Sequence, residues 1–132
     1  MNLTPLQIRQ LIQAAAKARR RAHAPYSKFH VGAALLTGTG KIVTGCNVEN
    51  ASYGLTMCAE RVAVGKAVSE GYRKFRAVVI VADGKSVTPC GACRQVLAEF
   101  GDLPVICADG KDTRRYRVYQ LSELLSHAFK LC

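Results

Sequence analysis

At 132 residues, with 49% hydrophobic and 21% charged side chains, the chain has the size and balance of one ordinary globular domain, 1–132, well outside the disordered class. No apolar run approaches the roughly 20 residues that span a bilayer, and six cysteines without a secretory leader point to a reducing, cytoplasmic setting and to metal ligation rather than a disulfide framework. The net charge of +10 attracts anions, but no helix-turn-helix, RNP-like or interleaved aromatic and basic pattern accompanies it, so the clusters at 17–21, 73–76 and 114–117 read as solvated faces and no specific nucleic-acid partner is expected.

Taken in order, Thr4-Pro5-Leu6-Gln7 offers an N-cap, a proline for the first helical position and a Gln three residues after the cap. Ile8, Leu11, Ile12, Ala15, Ala18 and Ala22 then recur at helical spacing. The absence of acids in the first 22 residues overlaps the description of a transit peptide, but the cap and the apolar stripe favour an integral amphipathic helix. Phe29–Thr37 reads as a strand, Gly38-Thr39-Gly40 as a turn and Lys41–Val48 as an antiparallel partner. The Gly38-Thr39-Gly40-Lys41 string joins two strands and lacks the rest of a phosphate-binding loop. A helix is expected from Ala59 to Glu70, ending at Gly71, then a strand over Ala77–Ala82. A second helix opens around Pro89 to Cys93, with Pro89 at its first position. Pro104–Ala108 and Tyr116–Tyr119 supply further strands, and Leu121–Ala128 a terminal helix with Leu121, Leu124, Leu125 and Ala128 inward. Strand, helix, strand, helix, strand implies right-handed crossovers that set parallel strands side by side. The expected fold class is α/β, a three-layer α/β/α sandwich with a mixed five-stranded sheet.

The chemistry concentrates in Cys58-Ala59-Glu60-Arg61 and Pro89-Cys90-Gly91-Ala92-Cys93-Arg94. Catalytic zinc typically has three protein ligands and an open fourth position, and Cys58, Cys90 and Cys93 make three. Three thiolates around Zn²⁺ carry a net negative charge that would weaken the metal as an acid. Two helix N-termini offset it, and Arg61 and Arg94 are placed in sequence to donate hydrogen bonds to the thiolates. Glu60 lies close to a ligand without serving as one and reads as the general base. A lone C-x-x-C is more often half of a structural zinc site or a redox pair, but here Cys46, Cys107 and Cys132 occur singly, and Cys107 lies in an apolar run as a buried thiol would. The histidines His23, His30 and His127 lack ligand spacing. A three-ligand zinc with a free Glu beside it is the constellation of nucleobase deaminases.

From about Ala24 to Phe29 and on to Phe129 the chain resembles the cytidine deaminases of the small, homotetrameric kind, through Ala24-Pro25-Tyr26-Ser27-Lys28-Phe29, Val31-Gly32-Ala33-Ala34, Gly45-Cys46-Asn47-Val48-Glu49-Asn50-Ala51-Ser52-Tyr53 and the two cysteine segments. It departs at Asp83 to Val87 and after Phe129. The resemblance implies one Zn²⁺ per chain, Glu60 as the catalytic carboxylate and hydrolytic deamination of cytidine and 2′-deoxycytidine in pyrimidine salvage. It implies that Asn47 and Glu49 hold the ribose, that Phe29 packs on the base, and that the Ala59 backbone and Glu60 bind the pyrimidine edge. Ala51, Tyr53 and Phe129 join the substrate-binding set, with Tyr53 and Phe129 reaching across subunit contacts to complete neighbouring sites of a homotetramer. Without it, Phe29 would be a core strand residue and Asn47 an ordinary turn former. Deamination of another aminopyrimidine nucleoside, or of a polynucleotide, uses the same zinc chemistry and stays open from the residues alone.

Overall fold

A computed structural model describes residues 3–83 and 87–131. Five strands, β1 (Val31–Thr37), β2 (Ile42–Cys46), β3 (Phe75–Ala82), β4 (Pro104–Asp109) and β5 (Tyr116–Gln120), form one sheet in the order β2-β1-β3-β4-β5. Helix α1 (Pro5–Arg19) packs on one face, and α2 (Ala59–Ser69), α3 (Gly91–Ala98) and the short α4 (Leu121–Leu124) on the other. The period of two sorts the cores: Ala34, Leu36, Val79, Val81 and Ile106 meet Ile8, Leu11, Ile12 and Ala15 of α1, while Ala33, Leu35, Val78, Ile80 and Val105 meet Ala59, Ala63 and Leu97. Because both faces are covered, β1 and β3 are nearly continuous apolar runs rather than alternating ones. No helix among the described residues is long and apolar enough to cross a membrane.

The expected start signals hold for α1. Thr4 accepts from Gln7 N and Gln7 answers back to Thr4 N, a complete capping box with Pro5 behind the cap, and Lys17 and Arg19 occupy the last turn, where the helix dipole favours cations. The helix stops at Arg19, so Ala22 lies beyond it. Helix α2 ends as expected at Gly71, whose φ of 97 lets Tyr72 N reach Ala67 O and Gly71 N reach Val68 O, the paired bonds of a Schellman turn.

Four expectations are corrected. The hairpin strands are shorter, β1 beginning at Val31 rather than Phe29 and β2 ending at Cys46 rather than Val48. The crossover through α2 does not set β3 beside β2. Strand β3 runs antiparallel to β1 on its far edge, so β2 and β3 point the same way with β1 between them, and only β3 and β4 are adjacent parallel neighbours. A helix about 10 Å wide covers two strands spaced roughly 4.8 Å apart, and α2 spans the β1–β2 hairpin before the chain descends on its other side. Pro89 precedes the N-cap, Cys90, and α3 begins at Gly91. The terminal helix closes after one turn at Leu124: the Leu124 carbonyl, which a longer helix would use internally, accepts instead from Arg94 Nη1 at 2.7 Å, and the chain leaves through a non-helical Leu125 and a left-handed His127.

One glycine sets how closely α2 seats. A Cβ at Gly45 would stand 2.6 Å from both Ala59 O and Ala63 N, inside contact distance of helix backbone that cannot swing aside. Gly45→Ala is therefore expected to lift α2 off the sheet, to cost about 1–3 kcal/mol as overpacking does, and to lower kcat/KM because Cys58 and Glu60 travel with that helix. Urea unfolding beside steady-state kinetics checks both halves.

Candidate active site

Cys58 and Cys90 are the N-caps of α2 and α3, and neither side chain caps its own helix. A Ser or Asp at those positions would spend its oxygen on the N2 or N3 amide; a cysteine leaves its sulfur free while the first-turn amides and the positive end of each helix dipole point towards it. Cys93 follows in the first turn of α3 and is fully buried. The three sulfurs lie within 4.8 Å of one another, with Cys58 Sγ 3.8 Å from Cys90 Sγ and Cys90 Sγ 3.5 Å from Cys93 Sγ. A tetrahedral zinc with bonds of about 2.3 Å to sulfur needs sulfurs roughly 3.8 Å apart, so the triad fits that ion. Among the described residues no fourth Cys, His or carboxylate joins the group. The site is therefore open, the arrangement of a catalytic rather than a structural zinc.

The thiols are also prepared electrostatically. Hydrogen bonding with Cys93, then with Arg61, lowers the Cys58 thiol to about 5 despite its partial burial. Cys93 is driven upward by the same bond with Cys58 and by burial. The protein alone thus favours the Cys58 thiolate and opposes ionisation of Cys93, and a bound divalent cation would favour the thiolate form of its ligands.

Arg61 spends Nη2 on Thr56 O at 3.2 Å, its buried Nε has no hydrogen-bond partner among the described residues, and the guanidinium interacts with the Cys58 and Cys93 thiols, which hold it above its ordinary value. Arg94 corrects the sequence reading. Its donors go to Pro89 O at 2.8 Å, Leu124 O at 2.7 Å and Thr88 Oγ1 at 3.0 Å, not to a thiolate. It braces the turn that enters α3.

Glu60 occupies the first turn of α2 with 4% of its surface exposed, and burial pushes its carboxyl upward, with the nearby Cys58 adding to the shift. A buried carboxyl raised above its ordinary value is a candidate to take and return protons. Cys107 lies in the core beneath, raised to about 12 by burial, an inert packing thiol. Cys46 is half-buried at the end of β2, and Cys132 lies outside the described residues.

A cleft of about 460 Å³ opens above the triad, bounded by Cys58, Ala59, Glu60, Asn47, Glu49 and Phe29. That volume suits a small organic ligand. Asn47, just past the end of β2, ties its side chain to the entry of β1, Nδ2 donating to Phe29 O at 2.8 Å and Oδ1 accepting from Val31 N at 2.9 Å. Phe29, freed from β1, is partly exposed into the cleft rather than buried in the core. Val48 pairs with Met57 through two 2.9 Å backbone bonds, which holds the intervening loop and the 3₁₀ turn Tyr53–Leu55 over the opening and brings Tyr53 to its edge. Ala51 and Phe129 do not line the cleft of their own chain. Ala51 is exposed in that loop, and Phe129 is 72% exposed, with its carbonyl accepting from Gln95 Nε2.

Residues 6–109 match the cytidine and deoxycytidylate deaminase zinc-binding region. The chain belongs to that deaminase family. It is 55% identical over 103 residues to a cytidine deaminase of Sporosarcina psychrophila, an alignment covering 76% of each chain. It is 51% identical over 120 residues to one of Halalkalibacterium halodurans, covering 90% of this chain and 91% of the relative. The crystal structure of cytidine deaminase from Burkholderia pseudomallei superimposes with a TM-score of 0.87 at 47% identity, over 96% of this chain and 100% of that one. Zinc dependence follows from the family together with the sulfur triad. The deaminase cleft also contains residues the sequence did not single out, notably Ser27 and Thr88. Both look like ordinary loop residues until their partners, Glu49 and Arg94, are brought to them. The departure noted at 83–87 falls largely on residues 84–86, outside the described ones.

Proposed function

We propose that the protein catalyses hydrolytic deamination of cytidine and 2′-deoxycytidine, giving uridine and 2′-deoxyuridine with release of ammonia. The observation that carries this reading is the buried Glu60 carboxyl beside an open three-sulfur site, at the bottom of a cleft whose other polar groups, Asn47 and Glu49, suit the hydroxyls of a sugar. The names of the relatives support it.

Cys58, Cys90 and Cys93 hold the zinc, which when bound lowers the pKa of a water from about 16 towards 7. Glu60 takes a proton from the attacking water and delivers it to N3 of the ring as oxygen bonds to C4. It then takes the remaining proton from the new C4 hydroxyl and passes it to the exocyclic amine, which leaves as ammonia as the C4 carbonyl forms. The Ala59 backbone and Glu60 hold the pyrimidine edge, Phe29 packs on the base, and Asn47 and Glu49 bind the ribose. The cleft volume of about 460 Å³ suits a free nucleoside, which favours it over a polynucleotide. Ammonia release from cytidine and deoxycytidine, set beside dCMP and a single-stranded oligonucleotide, is the test; turnover of the oligonucleotide alone would overturn the reading.

The same proposal takes the enzyme to be a cytoplasmic homotetramer serving pyrimidine salvage. Phe129, Tyr53, Leu55 and Met57 are large apolar side chains left in solvent by a single chain, and a closed symmetric assembly covers such surface while supplying each cleft with a wall. Phe129 then reaches the site of a neighbouring subunit, and Tyr53, at the edge of its own cleft, reaches across the same contacts, with Ala51 in the loop beside it. Phe129→Ala is expected to raise KM by an amount worth roughly 1–3 kcal/mol, the usual value of an aromatic stacked on a base, and dissociation is expected to abolish activity. Light scattering under assay conditions, read beside activity against protein concentration, checks this, and a fully active monomer would refute it.

A further inference from the structure

Residues 24–29 are wrapped around one carboxylate. Lys28 N donates to Ala24 O at 3.1 Å and closes a single turn, for which Lys28 adopts a φ of 60. That left-handed conformation is disfavoured for an L side chain and persists only where the surroundings impose it. What it achieves is visible in the bonds. Tyr26 N and Ser27 N donate to Glu49 Oε1 at 3.0 and 3.1 Å, and Ser27 Oγ donates to Glu49 Oε2. The same Ser27 Oγ accepts from Phe29 N at 3.0 Å.

Counting acceptor positions shows the consequence. An ionised carboxylate oxygen accepts two hydrogen bonds, so Oε1 is filled by the two amides. Oε2 gives one position to Ser27 and the other to a long 3.4 Å contact from the Tyr53 hydroxyl, which an incoming hydroxyl displaces. Glu49, only 4% exposed, thus presents a ligand with a single usable acceptor whose direction Ser27 decides. The hydrogen bond from Ser27 is also the main influence holding the Glu49 carboxyl below its ordinary value, so the group stays an acceptor.

We propose that Ser27 is a positioning residue for sugar recognition: through one hydroxyl it fixes the Glu49 carboxylate and the Phe29 backbone together, so that the cleft reads a single sugar hydroxyl. This rests on the nucleoside reading of the cleft. Glu49 then penalises the loss of one hydroxyl and tolerates the loss of its neighbour, which is how one site accepts both a ribonucleoside and a deoxyribonucleoside.

The experiment measures kcat and KM for cytidine, 2′-deoxycytidine and 3′-deoxycytidine with the wild-type enzyme, Ser27→Ala and Ser27→Thr. The wild type is expected to lose at least tenfold in kcat/KM with one deoxy substrate and little with the other. Ser27→Ala is expected to raise the KM for cytidine roughly ten- to a hundredfold, the size of one hydrogen bond to a charged group. Its kcat should change far less, and the penalty for the sensitive deoxy substrate should shrink at least fivefold. Ser27→Thr, which keeps the hydroxyl, should restore both. An active wild type whose Ser27→Ala form keeps its KM and its penalty, or loses kcat and KM together without rescue by threonine, overturns the role of Ser27 alone. A wild type without turnover of any cytidine overturns the nucleoside reading and this assignment with it.

Discussion

Glu60→Gln is expected to fold, to keep its zinc, and to lose a factor of at least 10² to 10⁴ in kcat. The amide has nearly the shape of the carboxyl, and Glu60 is not among the residues placed to bind metal, so neither the α2 turn nor the sulfur triad is disturbed. What disappears is the only proton carrier assigned to the ring nitrogen and the departing amine. General acid and base catalysis at one step contributes 10² to 10⁴, and this residue serves more than one step, so the upper part of that range is the expectation. Removing a buried carboxyl whose ionisation is already disfavoured by desolvation should not destabilise the fold. Zinc analysis and single-turnover kinetics on the same preparation separate the two effects. Near wild-type turnover in the glutamine variant would remove Glu60 from the mechanism.

Each of Cys58→Ala, Cys90→Ala and Cys93→Ala is expected to drop the zinc content from one per chain to near zero and to abolish activity. The triad has no spare ligand among the described residues, and two sulfurs do not hold a divalent ion against chelation as three do. Cys46→Ala, Cys107→Ala and Cys132→Ala should retain the metal. Cys107→Ala is the informative control: Cys107 is fully buried, so its loss costs stability through a small cavity while leaving zinc in place. Metal analysis after dialysis decides the matter. A fourth cysteine essential for binding would mean a closed, structural site.

The cysteines and Glu60 were legible because their spacing is local: an N-cap cysteine with a carboxyl in the same first turn, and a C-x-x-C pair at a helix entry, fix relative positions within a few residues. The helix-capping signals of α1 and the Gly71 stop were legible for the same reason. What escaped the sequence is set by distant partners. The strand order depends on which edge of the hairpin β3 joins, and no residue of β3 announces it. At the end of α4 the Leu124 carbonyl is taken by Arg94, 30 positions earlier, a partner that local sequence does not announce. Arg94 in turn was misjudged because proximity to Cys93 in sequence says nothing of the direction in which a guanidinium extends. Ser27 escaped because its partner is 22 residues away.

The two zinc-binding segments belong to successive crossover units, and the closest sulfurs contributed by different helices are 32 residues apart in the chain. An ion shared between them is a removable staple across the sheet. In the chain-entropy picture, closing a loop of that length restricts the unfolded state by roughly 3–4 kcal/mol, a large part of the 5–15 kcal/mol on which an ordinary domain rests. Metal depletion therefore acts on the quantity of folded enzyme as well as on its chemistry. Zinc removal is expected to lower resistance to proteolysis along with turnover.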